Sequence, residues 1–229
     1  QIIEWNEKNT NLSHPFVKEA YNLKKWAFVS DYIRLQKIYE YGGIYLDTDM
    51  MLIKNLDCFL EDKCFFGAED LDFISCGIIG TVPQHFFINE CLSAYDLLSI
   101  TKDTDLGMIT IPRLITEKFN AFTHNRKPFD NVLHVENIVI YPSKFFYPFP
   151  YNEKGDLVNY RSYIKKESFA IHLWNSSWIE YSEFDYFNNS EYIKGFQKVF
   201  DKIIKDEKVG LQYIRKVASS IKRSFIDKR

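Results

Sequence analysis

One stretch of this chain decides its fold, Gly42-Gly43-Ile44-Tyr45-Leu46-Asp47-Thr48-Asp49. The two glycines end the element before them, and the apolar run after them is typical of a short buried strand. Side chains two residues apart on a strand point to the same face, so we expect Asp47 and Asp49 side by side at the carboxyl end of this strand. Open α/β sheets bind their ligands at that end.

Two carboxylates at a strand end can serve either of two purposes. Hard oxygen ligands suit Mg²⁺ or Mn²⁺, which usually keep coordination sites for water and for substrate phosphates. In that case the site handles a diphosphate, and the metal neutralises charge on the leaving group. The alternative is a solvated cap of the strand, because acidic pairs end many strands.

The segment before the glycines predicts a helix that carries a second charged pair. Apolar and aromatic residues within 27–41 recur over a broad face at helical spacing, which indicates a well-buried helix. Asp31 and Arg34 lie three residues apart and therefore share one face. A surface ion pair is the alternative, but a charged pair on a buried helix beside the carboxylate strand favours a functional role. Gly42 and Gly43 fit the end of this helix.

These blocks resemble the DxD-containing glycosyltransferases, a family that includes mannosyltransferases and bacterial capsular polysaccharide synthesis enzymes. Related versions occur in the large clostridial glucosylating toxins and in the α-1,4-galactosyltransferases. The resemblance covers roughly residues 2–178. It rests on Ser30-Asp31-Tyr32-Ile33-Arg34, Tyr41 to Asp49, Phe65-Phe66-Gly67-Ala68-Glu69, Cys76-Gly77-Ile78-Ile79-Gly80, Thr110-Ile111-Pro112, Ile140-Tyr141-Pro142 and Ile171 to Trp178, in this order.

The late block predicts a loop that closes over a diphosphate. A histidine after an apolar strand is more often a packed core residue, but a polar turn with two indole rings follows His172. Such a loop offers an imidazole, serine hydroxyls and indole N–H groups to a metal or phosphate. In similar glycosyltransferases a late loop covers the nucleotide-sugar. The resemblance therefore implies β-phosphate contacts for Ser177 and Trp178 and a metal or diphosphate contact for His172.

The resemblance also implies roles for the first two blocks. Asp49 would bind the metal, Mn²⁺ or Mg²⁺, and Asp47 would lie near the ribose or the donor sugar. Asp31 and Arg34 would orient donor hydroxyls, and Ser30 belongs to the same substrate-binding block. Family members retain the anomeric configuration. Because no residue stands out as a covalent nucleophile, we expect front-face attack by the acceptor hydroxyl.

Strands that alternate with helices predict an α/β fold with a mostly parallel sheet flanked by helices. The resemblance implies a GT-A fold of this kind. The predicted helices are residues 16–41, with a break near Ser30, 85–98 and 109–119. The predicted strands are residues 44–46, 64–68, 78–79, 135–141 and 169–173, with a short turn or helix at 55–60. We expect a catalytic domain at residues 1–190 and a basic, amphipathic helical extension at 191–229.

Two departures from the family pattern concern the donor site. Relatives usually begin with an Ile-Pro-x-Ile-Ile-His-x-x-Trp-type strand, whereas this chain opens at Gln1-Ile2-Ile3-Glu4-Trp5-Asn6. We therefore expect the catalytic domain to lack its N-terminal strand, which would remove part of the base and ribose pocket and leave an unpaired edge. In addition, Cys76 stands where many relatives have Asn, and a thiol is a poorer hydrogen-bond partner.

Composition predicts one cytoplasmic α/β domain. A chain of 229 residues, 46% of them hydrophobic, is long enough to bury one such core. No run approaches the ~18–20 apolar residues of a membrane span, and we see no secretory signal peptide. The four cysteines form no C-x-x-C pair, which indicates buried thiols in a reducing compartment.

The C-terminal tail differs in charge from the rest of the chain. Residues 198–229 hold 10 Lys or Arg and 4 Asp or Glu, a net charge of +6, whereas the whole chain carries −2. Basic amphipathic helices can lie on anionic membrane surfaces, here the inner face of the membrane. The alternative is a helix packed on the domain with a solvated basic face. Nucleic-acid binding is not predicted, because no recognition motif accompanies the basic residues.

The chain is rich in aromatic residues, with 20 Phe, 15 Tyr and 4 Trp. Sugars stack on aromatic rings, so a few exposed rings could line an acceptor groove. The candidates are interleaved with Pro148 and Pro150, which favour an extended segment. They are Phe145, Phe146, Tyr147, Phe149 and Tyr151. The alternative is a proline-pinned loop that covers the core.

The sequence therefore predicts a metal-dependent, retaining glycosyltransferase. It would move a hexose from a nucleotide-diphosphate sugar, a UDP-sugar more than GDP-mannose, to a glycan or lipid-linked saccharide, as in capsule synthesis. One alternative is a non-catalytic nucleotide-sugar-binding module. Another is a haloacid-dehalogenase-type phosphatase with Asp47 as nucleophile and Asp49 as general acid. Met51 at a position that is usually Thr or Val, and the lack of a downstream G-D-x-x-x-D motif, argue against the phosphatase.

Overall fold

In the computed structural model of the protein, the described residues are 2–174, 183–188, 191–204 and 210–226. The contacts of the chain define two units, Gln1–Asn175 and Ser176–Arg229. Ser177 and Trp178, which the resemblance assigns to phosphate binding, lie outside the described residues. The predicted domain boundary at residue 190 stays a prediction.

The first unit alternates helices and strands. Its helices are α1 (Pro15–Asn22), α2 (Trp26–Tyr41), α3 (Phe86–Ala94) and α4 (Ile111–Thr123). Its strands are β1 (Gly43–Leu46), β2 (Met50–Leu52), β3 (Cys64–Ala68), β4 (Ile74–Thr81), β5 (Leu133–Val135), β6 (Ile138–Tyr141) and β7 (Ala170–His172). 3₁₀ segments lie at Asp57–Phe59, Tyr95–Leu97, Leu106–Ile109 and Tyr151–Tyr163, the last of them interrupted by a kink at Asp156.

The predicted α/β class is confirmed, and several predicted boundaries move. The predicted strand 135–141 is two antiparallel strands, β5 and β6, and the predicted strand 78–79 is part of the longer β4. Strand 64–68 is found as predicted, and the strand after the glycines lies within one residue of its predicted start. The break in the first helical segment lies at residues 23–25, where Lys24 has a positive φ of 56°, and Ser30 is inside α2. The helix that carries Asp31 and Arg34 is therefore continuous up to the glycines.

The prediction of a mostly parallel sheet is wrong for the described strands. The main sheet has the order β1-β4-β3-β6-β5, and only the β3–β6 pairing is parallel. β3 and β4 are joined by a short turn at residues 69–73, closed by a hydrogen bond from the Glu69 amide to the Phe73 carbonyl (2.9 Å). Parallel neighbours need a longer crossover connection, so a connection this short makes the two strands a hairpin. β2 and β7 form a separate antiparallel pair.

Three strands of the main sheet nevertheless run in the same direction. β1 and β3 are both antiparallel to β4, and β6 is parallel to β3. The carboxyl ends of β1, β3 and β6 consequently lie at one edge of the sheet. This edge, which we call the functional edge, holds Asp47 after β1 and Glu69 after β3.

The sheet is covered on both faces by apolar side chains. Helices α1 to α4 bury one face, with Phe28, Leu35, Phe87 and Phe119 in its core. The other face buries a smaller, aromatic cluster around Phe59, Phe65 and Phe146. Cys64, Cys76 and Cys91 are buried, whereas Cys58 is exposed, so the prediction of buried thiols is wrong at that one position.

The proline-interleaved aromatic segment covers the core. Phe146, Tyr147 and Phe149 are buried, and only Phe145 and Tyr151 keep part of their surface accessible. The structure therefore favours the covering loop over an acceptor groove made of all five rings.

The second unit contains three helices in its described part, α5 (Glu183–Asn188), α6 (Tyr192–Ile204) and α7 (Leu211–Ile226). The Lys202 ammonium donates to the buried Glu183 carboxylate at 2.8 Å. A Cβ on Gly195 would lie 2.7 Å from the Phe187 ring, so the close approach of α6 to that ring requires glycine. Of the described helices in either unit, none has the length and apolar character of a membrane span.

Candidate active site

The glycine pair turns the chain from α2 into β1. The Gly42 amide caps α2 by donating to the Ile38 carbonyl (2.9 Å), and both glycines have positive φ, 66° and 95°. A Cβ on Gly42 would also lie 2.6 Å from Pro83. Glycine is required here for both reasons, and the turn brings the charged face of α2 next to the end of β1.

Asp47 and Asp49 lie in the tight turn that follows β1. The Asp47 amide donates to the Gly77 carbonyl (2.8 Å), and the Met50 amide donates back to the Asp47 carbonyl (3.0 Å). The chain then enters β2, where Met50 is paired with His172 of β7. This pairing places His172, which is distant in sequence, next to the two carboxylates.

Asp47, Asp49 and His172 form a compact cluster of possible metal ligands. The His172 Nε2 atom lies 3.1 Å from an Asp49 oxygen and 3.7 Å from an Asp47 oxygen, and one ligand atom from each residue falls within 4.8 Å of the others. Two carboxylates and an imidazole fit Mn²⁺ well, and Mg²⁺ accepts the carboxylates. The cluster thus contains the two predicted metal ligands together with Asp47.

Arg34 joins the helix to the cluster. Its guanidinium lies 3.0 Å from an Asp31 oxygen and 3.0 Å from an Asp47 oxygen, and it is stacked 4.7 Å from the centre of the Tyr45 ring. The Tyr45 hydroxyl donates to Asp47 at 2.6 Å. The Arg34 and Asp31 side chains are only 10% and 12% exposed, so the alternative of a surface ion pair is excluded.

The pKa values of Asp31 and Asp47 are shifted in opposite directions. Burial raises the pKa of Asp31 to about 6, although the Arg34 charge opposes the shift. Burial would also raise the pKa of Asp47, but the neighbouring His172 ring, the charge of Arg34 and the hydrogen bond from Tyr45 outweigh it and hold this pKa below its ordinary value. Asp47 therefore stays ionised to a lower pH than Asp31.

A bulge in β4 supports this arrangement. Residues 76–78 have no partners in β3, because the register shifts there. The Cys76 carbonyl accepts a hydrogen bond from Arg34 (3.1 Å), and the Gly77 carbonyl holds Asp47. Bulges often re-aim groups next to active sites. Since position 76 holds Arg34 through its backbone, a thiol in place of an amide leaves this contact unchanged.

Ser30 lies on the exposed side of α2, where it lines a cavity of about 610 Å³. Arg34 and Tyr45 line the same cavity, which places it directly beside the metal-ligand cluster. The remaining lining comes from α1, α2, β1 and the segment 3–12 and is rich in rings, among them Trp5, Tyr21, Trp26 and Tyr41.

Trp174 packs on the histidine of the cluster. The two ring centroids are 4.1 Å apart, and the indole N–H donates to the Phe149 carbonyl at 2.7 Å. The first indole of the late block is therefore a structural support of His172.

The sequence interpretation missed Glu69 as a site residue. Burial raises the pKa of its carboxyl to about 7; Asp70 adds to the shift, and the Ser75 hydroxyl and the His172 ring oppose it. Glu69 ends β3 at the functional edge, as Asp47 ends β1. The sequence signal for Glu69 is a carboxylate directly after an apolar strand. Its position near the cluster follows only from the strand directions, which the structure gives.

Replacing Gly77 is expected to disturb the cluster. An added Cβ would lie 3.1 Å from both the His172 ring and the Tyr147 hydroxyl and 3.3 Å from an Asp47 oxygen, closer than ordinary contacts. We expect Gly77→Ala to lower the free energy of unfolding by about 1–3 kcal/mol, measured by urea denaturation. Gly155→Ala is the control, because a Cβ there meets no atom within 4 Å. Equal stability of the two variants would contradict the close packing.

Glu69 is expected to make stability depend on pH. Its pKa rises from 4.5 in the unfolded chain to about 7 in the folded one, so the folded state keeps a proton that the unfolded state releases. The free energy of unfolding should therefore fall as pH rises through this window and level off above it. In metal-free urea titrations, Glu69→Gln should gain about 1–3 kcal/mol relative to wild type between pH 4.5 and 8. A difference that does not change with pH would contradict this.

Two sequence families match the chain, one after the other. The first, described as the glycosyltransferase sugar-binding region containing DXD motif, matches residues 1–66. The second, described as the alpha 1,4-glycosyltransferase conserved region, matches residues 81–199, which is more than half of the chain. Together they include all the residues of the metal-ligand cluster and Arg34.

Individual proteins are similar to the chain at lower identity. Human alpha-1,4-N-acetylglucosaminyltransferase is 29% identical over 164 residues, 66% of this chain and 44% of that protein. An uncharacterized glycosyltransferase of Acanthamoeba polyphaga mimivirus is 29% identical over 178 residues, 73% of this chain and 64% of that protein. Mouse lactosylceramide 4-alpha-galactosyltransferase is 24% identical over 158 residues, 64% of this chain and 40% of that protein. The chain thus spans less than two thirds of each relative. No solved structure matches it.

Proposed function

This chain belongs to the alpha 1,4-glycosyltransferase family, and from that premise we propose that it is a metal-dependent, retaining hexosyltransferase that uses a nucleotide-diphosphate sugar. The observation that carries the proposal is the meeting of Asp47, Asp49 and His172 with Arg34 at the functional edge. The family assignment weighs against an aspartyl phosphatase. The non-catalytic binding module remains the rival to be tested.

The metal-ligand cluster is the proposed diphosphate site. Asp47, Asp49 and His172 would hold Mn²⁺ or Mg²⁺, and such an ion supplies positive charge to the leaving nucleoside diphosphate. Arg34 lies beside the cluster and adds a permanent cation to the same side. Ser177 and Trp178 stay proposed β-phosphate contacts.

The cavity beside α2 is the proposed nucleoside site. Its volume of about 610 Å³ is in the range of ligand pockets, and its aromatic lining suits a flat base. Ser30 and Tyr45 lie in its wall, between the rings and the cluster. A donor would thus place its base in the cavity and its phosphates at the cluster, in a GT-A type of arrangement. We favour UDP-hexoses as donors.

Asp31 and Arg34 are the proposed contacts of the donor hydroxyls. Their paired, buried charges form a rigid unit beside Asp47, which suits the orientation of a sugar ring. Because no residue of this group stands out as a covalent nucleophile, we propose front-face attack by the acceptor, with retained configuration. An inverted product in an NMR assay would contradict that route.

The proposed acceptor is a glycan or a lipid-linked saccharide, as in capsule or surface polysaccharide synthesis. One relative is named for lactosylceramide, a lipid-linked acceptor. Helix α6 exposes large apolar side chains, including Phe196, Phe200 and Ile203, and the tail carries excess positive charge. We propose a cytoplasmic protein whose tail helices contact the membrane surface peripherally. Co-sedimentation with anionic vesicles but not with neutral ones tests that contact.

A panel of nucleotide-sugars with Mn²⁺ tests the proposed function. We expect slow hydrolysis of one donor among UDP-Glc, UDP-Gal, UDP-GlcNAc, UDP-GalNAc and GDP-Man, and loss of that hydrolysis with a chelator. A chain that binds UDP but hydrolyses no donor would favour the binding module. A chain that neither binds nor hydrolyses any of them would contradict the proposal.

A further inference from the structure

We propose that Glu69 binds the attacking hydroxyl of the acceptor, on the side of the metal-ligand cluster opposite the nucleotide. This inference rests on the proposed function, to which it adds a residue and a direction of approach. It begins from Glu69 itself, a partly buried carboxyl that none of the proposed roles uses.

The topology of the sheet places Glu69 across the functional edge from the nucleoside cavity. Asp47 follows β1 and Glu69 follows β3, and the two strands run in the same direction with β4 between them. Two strand spacings separate their ends by about 10 Å. The described lining of the cavity includes β1 and α2 but neither β3 nor β4. The cluster therefore lies between the cavity and Glu69.

Glu69 lies on the same face of the sheet as the histidine of the cluster. The Tyr147 ring covers Gly67 of β3 on one face of the sheet, and Glu69, two residues further along, faces the same side. Tyr147 in turn lies beside His172, with ring centroids 5.9 Å apart, and its oxygen accepts a hydrogen bond from the Ile78 amide at 3.0 Å. Glu69 and the cluster therefore lie on the face of the sheet that Tyr147 covers.

Two glycines make room for the Tyr147 side chain. A Cβ on Gly67 would lie 2.6 Å from the Tyr147 ring, and one on Gly77 would lie 3.1 Å from the Tyr147 hydroxyl. Without side chains at these two positions, Tyr147 packs directly on the backbones of β3 and β4. The tyrosine is buried, so this packing holds its ring in place.

The charge around Glu69 leaves its carboxyl available to a ligand. Asp31 and Asp47 share Arg34, whereas the salt bridges of the described residues include none to Glu69. A carboxylate accepts hydrogen bonds from sugar hydroxyls, and a charge-assisted bond of this kind is strong. Glu69 lies on the side of the cluster opposite the cavity. When the base of the donor fills the cavity, this is the side from which an acceptor approaches.

Saturation-transfer NMR on the full chain with UDP and Mg²⁺ tests the inference. The acceptor probes are the methyl glycosides of glucose, galactose, N-acetylglucosamine and N-acetylgalactosamine. We expect UDP signals in the wild type, in Glu69→Gln and in Glu69→Ala, which also reports that the variants are folded. At least one glycoside should bind the wild type and bind the variants about tenfold more weakly. Asp72→Asn, which alters an exposed carboxylate of the same turn, should behave as the wild type.

The outcomes separate this inference from the proposed function. Glycoside signals that persist in Glu69→Ala, or UDP signals without any glycoside signal in the wild type, would overturn the role of Glu69. Loss of UDP binding together with glycoside binding in the variants would also overturn it, because Glu69 would then support the donor site. Absence of UDP binding in the wild type would contradict the proposed function itself.

Discussion

Asp49→Ala is expected to abolish nucleotide-sugar hydrolysis and to weaken Mn²⁺ binding by at least about 100-fold. Asp49 contributes a carboxylate oxygen 3.1 Å from the His172 Nε2 atom, in a cluster of three possible ligands. Removing one of the three leaves too few protein donors to hold an ion that keeps several of its waters. The loss should be much larger than the 10- to 100-fold effect that is usual for groups that only orient a ligand.

Electron paramagnetic resonance titration of Mn²⁺ measures this effect directly, without turnover. Asp103→Ala is the matched control, because it removes an exposed carboxylate from a loop far from the cluster in sequence. Without metal, Asp49→Ala should change the free energy of unfolding by only about 1 kcal/mol or less, since its ion pair with the histidine is partly solvated. Unchanged Mn²⁺ affinity in Asp49→Ala would show that the two aspartates are only a cap of the strand.

Arg34→Met is expected to destabilise the protein by about 3–5 kcal/mol. Arg34 is the cation shared by Asp31 and Asp47, each 3.0 Å away, and it also donates to the Cys76 carbonyl. Methionine fills much of the same space but leaves two carboxylates without their counter-charge in a mostly buried site. Nucleotide-sugar hydrolysis should be lost as well, because the carboxylates would no longer be held in place.

Urea denaturation in the presence of a chelator measures the loss, and α2 supplies its own control. Lys37 pairs with Glu40 at 2.9 Å near the surface of the same helix, so Lys37→Met should cost about 1 kcal/mol or less. The cost of Arg34→Met should be smaller at pH 5 than at pH 8, because Asp31, with a pKa of about 6, is protonated at the lower pH. Similar costs for the two methionine variants would contradict a buried charge network.

Features set by residues close in sequence were predictable. The three-residue spacing of Asp31 and Arg34 on a helix places them on one face, and the structure pairs them at 3.0 Å. The apolar run 64–68 between polar residues predicts a strand, and the strand is found there. Each of these features depends on a few neighbouring side chains.

The parallel sheet was predicted wrongly because a turn signal was overlooked. Residues 69–73 read Glu-Asp-Leu-Asp-Phe, and the Asp70 carboxylate accepts hydrogen bonds from the amides of Asp72 (2.8 Å) and Phe73 (2.7 Å). Aspartate at the start of such a turn is a known signal for a tight reversal. It makes β3 and β4 a hairpin, whereas the pattern of alternating elements suggested a crossover.

Which distant residues meet in the site depends on strand pairings that a single sequence does not reveal. His172 reaches Asp49 because β7 pairs with β2, about 120 residues earlier in the chain. Glu69 reaches the same edge because β1 and β3 both run antiparallel to β4. Strand order and register decide which distant side chains meet, and neither is encoded in local spacing.

Calorimetric titration of the wild-type chain with UDP, with Mn²⁺ and then with excess chelator, tests most directly whether the functional edge is a metal-dependent nucleotide site. We predict one UDP site per chain, with binding at least about tenfold tighter, or about 1.4 kcal/mol more favourable, when Mn²⁺ is present. UDP binding of equal strength with and without Mn²⁺, or no UDP binding under either condition, would contradict the role proposed for Asp47, Asp49 and His172.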